Sequence, residues 1–315
     1  MRFLNFPTVV QREVFECFSL EELLALSFCS KKFRSLIQLI QKYRFTKIDC
    51  LVYRKIFKET IFITARSSDL NKLLHISLHE DQKNEEINSS DGFKIGELII
   101  ECVHNYFYAF FGSSIDYQID FNCDKLRQSL KNIASSRIGL SENMTGKELE
   151  ACFTSSPSQK FIAILYKLNG KLCPDSVLYN TENLYLNSTH IDGDDLLSRF
   201  RGKSLFLVER NVTDSNIIRF LNEWKSSRKF QNLKFFSVFT HRRNRFDVAK
   251  VLYEADIKHL NPTMSTIQDS SQWKHFTLES RYYLIRDYDG EGASIEISSE
   301  HFRFSVWSAA EKSSN

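Results

Sequence analysis

Proline is scarce: four in 315 residues leave little room for proline-rich linkers. An excess of charge of either sign is also missing. Lys and Arg number 42 against 39 Asp and Glu, a net +3 that gives no reason to expect a nucleic-acid partner. No apolar run is long enough to cross a bilayer, and Gln11, Arg12 and Glu13 interrupt the N-terminal apolar residues before they form a secretory core. No membrane partner is therefore expected, and an intracellular home, cytoplasmic or nuclear, is. The seven cysteines (Cys17, Cys29, Cys50, Cys102, Cys123, Cys152, Cys173) contain no C-x-x-C pair, which removes a zinc ribbon and a thioredoxin-like motif. Their odd number and apolar neighbours suit free thiols in a reducing compartment. There is no Walker loop, no G-x-G-x-x-G, no G-x-S-x-G and no H-E-x-x-H. Neither an enzyme nor a cofactor is expected.

Weaker chemical signals have plainer explanations. His75 and His79 are four apart, yet a metal would need further ligands. Asp192-Gly193-Asp194-Asp195 lacks the twelve-position ligand set and late Glu of a calcium loop, and helix capping explains it better. The basic cluster His241–Arg245 reads as a solvated loop. Cys17 and Cys29 read as packing residues, with no basic group evidently placed to make a thiolate.

Among what is present, 27 Phe predict an aromatic core. The stretch Phe6–Ile40 predicts three short helices. Pro7 fixes φ at an opening turn with Thr8 placed to cap, and Val10, Val14 and Phe18 follow at helical spacing. Ser19 with Glu22 forms a capping-box signature before Leu23, Leu24 and Leu26. Ser30 can cap a third helix bearing Phe33, Leu36, Ile37 and Ile40. So small a bundle cannot hide all of these, so some should face a partner.

Four elements of this stretch, Phe6-Pro7, Val10-Val14-Phe18, Leu23-Leu24-Ala25-Leu26 and Ser30-Lys31-Lys32-Phe33, resemble the F-box. The wording from Leu26 to Lys31 resembles the nematode branch of that family. The resemblance implies docking onto a Skp-type adaptor, and through it a cullin, by Phe6, Pro7, Val10, Val14, Phe18, Leu23, Leu24 and Leu26. Val9 and Gln11 depart from the family, where an acidic and an apolar residue are usual.

Downstream, strands are expected at Lys47–Tyr53, Thr60–Ala65, Leu73–Leu78 and Ile115–Phe121, an exposed loop over His79–Gly92, and a helix over Asp124–Ala134. Glu97–Phe111 could be helix or strand. A motif then repeats: Asn143–Leu149, His190–Leu196, Asn211–Ile217 and, more weakly, Arg245–Val251. Each copy reads as a turn, an N-cap at Thr145, Asp192, Thr213 or Asp247, and the first buried position of a helix. Short strands precede the last three, at Asn183–Leu186, Ser204–Leu207 and Asn232–Phe236, and Phe161–Tyr166 leaves room for a degenerate copy. The unit is strand, turn, capped helix, as in a leucine-rich-repeat solenoid. Ser204–Leu207, Asn211–Asp214, Ile217–Trp224 and Leu233–Val238 also resemble the nematode F-box-associated domain of the second type, which implies a module that recruits a protein substrate. At the C-terminus, Arg281–Ile285 and Ala293–Ile297 flank Asp289-Gly290 as a hairpin, with His301–Trp307 as a third strand.

The expected fold class is α+β: a three-helix F-box (3–42), a linking αβ region (43–135), an irregular leucine-rich-repeat-like array (136–260, with the F-box-associated part at about 180–250), and a C-terminal hairpin region (261–315). The expected function is substrate recognition for a Skp–cullin–F-box ubiquitin ligase; the alternative is an interaction module outside any ligase. Leu184, Leu186, Leu205 and Leu207 should face the core, leaving Tyr185, Phe206, Lys234 and Phe236 on the opposite face for substrate.

Overall fold

The computed structural model describes residues 3–57, 60–66, 74–79, 89–122, 130–139, 145–165, 171–187, 192–208, 212–226, 229–240, 245–270 and 273–307. It is a mixed α/β chain, helical first and strand-rich afterwards, in two units, Met1–Arg137 and Ile138–Asn315.

Unit 1 begins with a single 3-10 turn, Phe3–Asn5, followed by α1 (Thr8–Glu16), α2 (Leu20–Cys29), α3 (Lys31–Ile40) and the short α4 (Lys42–Phe45). Pro7, not Thr8, holds the N-cap position of α1 and supplies no side-chain bond; Thr8 is already helical. Ser19 and Glu22 close a reciprocal capping box on α2, and Ser30 accepts from Lys32 N at the start of α3. Strands β1 (Cys50–Phe57), β2 (Thr60–Arg66) and β3 (Leu74–His79) form an antiparallel meander. The helix α5 (Ser89–Phe111) then leads to β4 (Asp116–Asn122), which pairs parallel to β1. Glu97–Phe111 is thus helical. Of the helix expected over Asp124–Ala134, the described residues 130–134 are not helical and Ile133 and Ala134 open β5 (Ile133–Gly139); 123–129 lie outside the described residues. Of the expected His79–Gly92 loop, His79 ends β3 and Ser89–Gly92 belong to α5, and 80–88 lie outside the described residues.

The unit 1 core joins Phe15, Leu23, Leu24, Ile37 and Ile40 of the first three helices to Leu51, Tyr53, Ile63, Phe107, Phe110 and Tyr117. Polar ties reinforce it. Gln38 Nε2 donates to Phe110 O at 2.8 Å, and Tyr106 OH donates to Ser27 Oγ at 2.6 Å. Within this core His104 bridges Tyr53 OH (3.1 Å) and Lys131 O (2.8 Å). Because a carbonyl only accepts, Nε2 carries the proton and Nδ1 accepts from the tyrosine. Burial lowers the His104 pKa, with the bond to Lys131 O partly opposing it.

In unit 2, α6 (Gly146–Cys152) precedes β6 (Phe161–Leu165). Then come β7 (Asn183–Asn187), α7 (Gly193–Arg199), β8 (Ser204–Val208), α8 (Asp214–Ser226), β9 (Phe235–Phe239) and α9 (Val248–Glu254). The strands β6 to β9 pair parallel in sequence order. Four more strands, β10 (Lys258–Ser270), β11 (Trp273–Ile285), β12 (Gly292–Ile297) and β13 (His301–Val306), pair antiparallel, and β13 attaches to β9.

The four expected N-caps are all present. Thr145 forms a capping box with Glu148, Asp192 accepts from Asp194 N and Asp195 N, and Asp247 accepts from Lys250 N. Thr213 Oγ1 accepts from Asn216 N while Asn216 Oδ1 accepts from Thr213 N at 2.8 Å, a capping box with Asn in the acid's place. Leu184, Leu186, Leu205 and Leu207 are buried on one face of the sheet. On that face α8 lays Phe220 against Phe236 (ring centroids 4.9 Å) and Phe304 (5.2 Å), and Trp224 against Phe304 (5.0 Å). Phe230 adopts φ 59°, a left-handed conformation unusual for an aromatic residue, and its edge contact with Phe220 at 5.1 Å holds it there.

Candidate functional site

The two sets of candidate residues lie in different units. In unit 1 the question is which apolar residues the chain itself covers. Leu23 and Leu24 are fully buried in the same core as residues of α3, α5 and β1, which corrects their assignment to a partner surface. Pro7, Val10 and Val14 are exposed, with Val10 at 41% and Val14 at 37%. Phe6, Phe18 and Leu26 are half-buried. Val9 (68% exposed) and Leu4 (40%) are further exposed apolar residues of this segment; the resemblance points away from Val9, where an acidic residue is usual, and carries no expectation for Leu4. Helical periodicity does not pick out Val9, which points about 100° around α1 from Val10.

The open face rests on a fixed base. Gln11 is buried and its Nε2 donates to Leu4 O at 3.3 Å, so the polar residue at this family-apolar position ties α1 to the opening turn. Phe3 stacks on Phe33 at 5.9 Å and tilts against Phe15 at 5.4 Å. At the other end of α1, Arg44 donates to Phe15 O (3.1 Å), which also accepts from Phe18 N, and to Phe18 O (2.9 Å) just beyond the helix. Cys17 and Cys29, expected as packing residues, are instead exposed. Their Sγ atoms lie on the carbonyls four residues back, at 3.3 and 3.4 Å.

In unit 2, strand register settles the candidate row. Tyr185 aligns with Phe206, Phe206 with Ser237, Ser237 with Arg303, and Arg303 with Glu296. These residues share the face opposite α8, where Tyr185 and Phe206 are half-buried and Phe206 meets Phe235 at 4.8 Å. Phe236 does not belong there. It aligns with Leu205 and is fully buried against Phe220, which corrects its assignment to the open face. The cause is local: Phe230–Leu233 closes as a turn, with Leu233 N donating to Phe230 O. The strand therefore starts at Phe235, three residues later than expected, and the alternation begins from a different residue. Lys234 is half-buried and its Nζ sits 3.1 Å from Glu291 on the C-terminal hairpin. Trp307 finishes this face, stacking on Tyr283 at 6.0 Å and donating from Nε1 to Ser294 Oγ at 3.0 Å. It lies over Gly292, where any side chain would collide with the indole ring.

One cluster on the β12–β13 turn has the outline of a hydrolytic relay. His301 contacts Ser298 Oγ through Nδ1 (2.7 Å) and Glu296 Oε1 through Nε2 (2.9 Å). Ser298 Oγ, however, also accepts from Glu300 N and His301 N, both at 3.2 Å. Both lone pairs are taken, so the arrangement works as a turn staple rather than a nucleophile. The Asp192–Asp195 run is likewise absorbed structurally, Asp192 as a cap and Asp195 by Tyr179 OH at 3.0 Å. Burial and that contact push the Tyr179 phenol up to about 12. Burial also raises the thiols of Cys50 to about 11 and Cys152 to about 12, away from thiolate chemistry. Of the His241–Arg245 cluster only Arg245 is described, and it is exposed; the side chains of His75 and His79 lie outside the described residues. Among the described residues no group of three or more His, Cys, Asp or Glu is placed to hold a metal ion, and no helix is long and apolar enough to cross a membrane.

No curated protein and no solved structure matches the chain. Residues 3–45, which span the opening turn through α4, match the family model of the F-box domain.

Proposed function

We propose that this chain is the substrate-recognition adaptor of a Skp–cullin–F-box ubiquitin ligase. The observation that carries the reading is the F-box match at residues 3–45 together with an open apolar patch on α1 inside it. Phe6, Pro7, Val10, Val14, Phe18 and Leu26 are the proposed contacts to a Skp-type adaptor, with Leu4 and Val9 beside them. Leu23 and Leu24 act from beneath, by holding α2 in place. In this reading the chain does no ubiquitin chemistry; it brings a protein substrate near subunits that do.

The substrate surface we propose is the face of unit 2 opposite α8, with Tyr185 and Phe206 as aromatic anchors and Lys234 at its edge. The parallel strands β6–β9 with their capped helices support a leucine-rich-repeat-like description. We also retain the likeness to the nematode F-box-associated domain of the second type, and an intracellular setting, as parts of this proposal.

Co-purification with a Skp-type adaptor tests it. The wild-type chain should bind, and a Val10→Asp, Val14→Asp double variant with an unchanged melting curve should lose about 2 kcal/mol or more of binding. A folded wild-type chain that fails to bind the adaptor would move the assignment to an interaction module outside any ligase.

A further inference from the structure

Unit 1 contains a cavity of about 490 Å³ that the α1 face does not use. Its walls are Phe45, Ile48, Phe110, Phe111 and Ile115. Four of these five are themselves buried members of the unit 1 core, so the recess is floored by the core while its mouth is open to solvent. Phe45 stands edge-on to Phe110 at 5.1 Å and to Phe111 at 5.6 Å, so the walls are braced against collapse.

The polar groups around the mouth differ sharply in what they have left to offer. Gln38 donates to Phe110 O and Ala109 O, Thr46 Oγ1 to Tyr43 O, and Ser114 Oγ to Phe111 O. All three spend their donors on the main chain. Lys42 is exposed at the rim and has no ion pair among the described residues. The volume falls in the small-molecule range of roughly 300–1,000 Å³ and is too small for a partner's helix. An apolar lining with one uncommitted ammonium suits an apolar body with one negative head. A doubly charged head would leave half its charge unmatched beside an apolar wall.

We propose that this cavity binds an amphipathic monocarboxylate, its chain or ring among Phe45, Phe110 and Phe111 and its carboxylate on Lys42 Nζ. Such a ligand would tie the α3–α4 segment to the C-terminal end of α5 and stabilise unit 1 by binding only the folded state.

Decanoate and neutral decanol, titrated separately into the full chain labelled at isoleucine methyl groups, test the proposal. Decanoate should shift the Ile48 and Ile115 methyl resonances and raise the melting temperature. Lys42→Glu, at an exposed position that leaves the core intact, should weaken decanoate roughly tenfold or more while leaving decanol unchanged. Ser114→Trp, which puts an indole over the mouth, should weaken decanoate too. The proposal is overturned if decanoate leaves both methyl groups unmoved, or if Lys42→Glu binds it as tightly as wild type.

Discussion

The helices at the start of the chain and the strand–helix array of unit 2 bury their apolar residues in different ways. In the array each buried leucine finds its partner in the next strand of the sequence, Leu184 against Leu205 and Leu205 against Phe236. In the N-terminal helices the partners come from far downstream: Gln38 reaches Phe110, and Leu23, Leu24 and Ile37 share a core with Phe107 and Tyr117. Local patterns therefore describe the array well, whereas the first three helices cannot be sorted into inward and outward faces without α5.

The largest expected effect tests the array's two faces. Phe236→Ala should cost about 3–5 kcal/mol by emptying a site packed by Phe220 and Phe302. Phe206→Ala, across the sheet and half-buried, should cost clearly less. Equal midpoint shifts in urea denaturation would erase the distinction between the faces. In unit 1 the same contrast is set between Leu24 and Val14. Leu24→Ala should cost about 2–5 kcal/mol, and Val14→Ala should stay within about 0.5 kcal/mol of wild type. A comparable loss at Val14, read by calorimetry, would mean that α1 has no open face.

The helix caps come next in size. Thr145→Ala and Asp192→Ala should each lower stability by about 0.5–2 kcal/mol, as Ser19→Ala should in unit 1. A cap whose removal is silent in chemical denaturation would mark a helix held by packing alone. The smallest effect is a pH dependence confined to unit 1. Because burial puts the folded His104 pKa below its unfolded value of about 6.5, the unfolded chain binds the extra proton first as pH falls. The stability that neutral His104 contributes is present above that pH and declines below it. Melting temperatures measured from about pH 7 to about pH 5 should fall more for wild type than for His104→Gln. Parallel curves for the two proteins would remove His104 from the account.

Much of this was legible in the residues themselves. Capping residues announce helix starts because the bond they make spans only two or three positions, which is why Ser19, Thr145, Asp192, Thr213 and Asp247 could all be placed. The alternation of Asn183–Leu186 and Ser204–Leu207 gave the inward leucines for the same reason. Phe236 failed because its face depends on where β9 begins, and the turn at Phe230–Leu233 sets that. Leu23 and Leu24 failed because an apolar helix face looks the same whether a partner chain or the chain's own core covers it. The buried role of Gln11 was hidden for a related reason: its acceptors are carbonyls of the opening turn, and backbone oxygens leave no mark in a sequence.

The acids at the helix starts of unit 2 do more than cap. Asp194, in the first turn of α7, receives Asn216 Nδ2 at 2.8 Å and the Arg219 guanidinium, both from α8. Asp214, in the first turn of α8, receives the backbone N of Asp247, the cap of α9, at 3.1 Å. The starts of α7, α8 and α9 are thus fastened in series, each by a side chain of the helix before it. A change at Asp194 would be felt one helix further along, and variants at neighbouring starts should combine non-additively even though they lie about twenty to thirty residues apart in the chain. Copying or deleting one strand–helix segment would leave an unmatched acid on one side and an unmatched amide on the other, so the array can change its length only if the joints on both sides change with it.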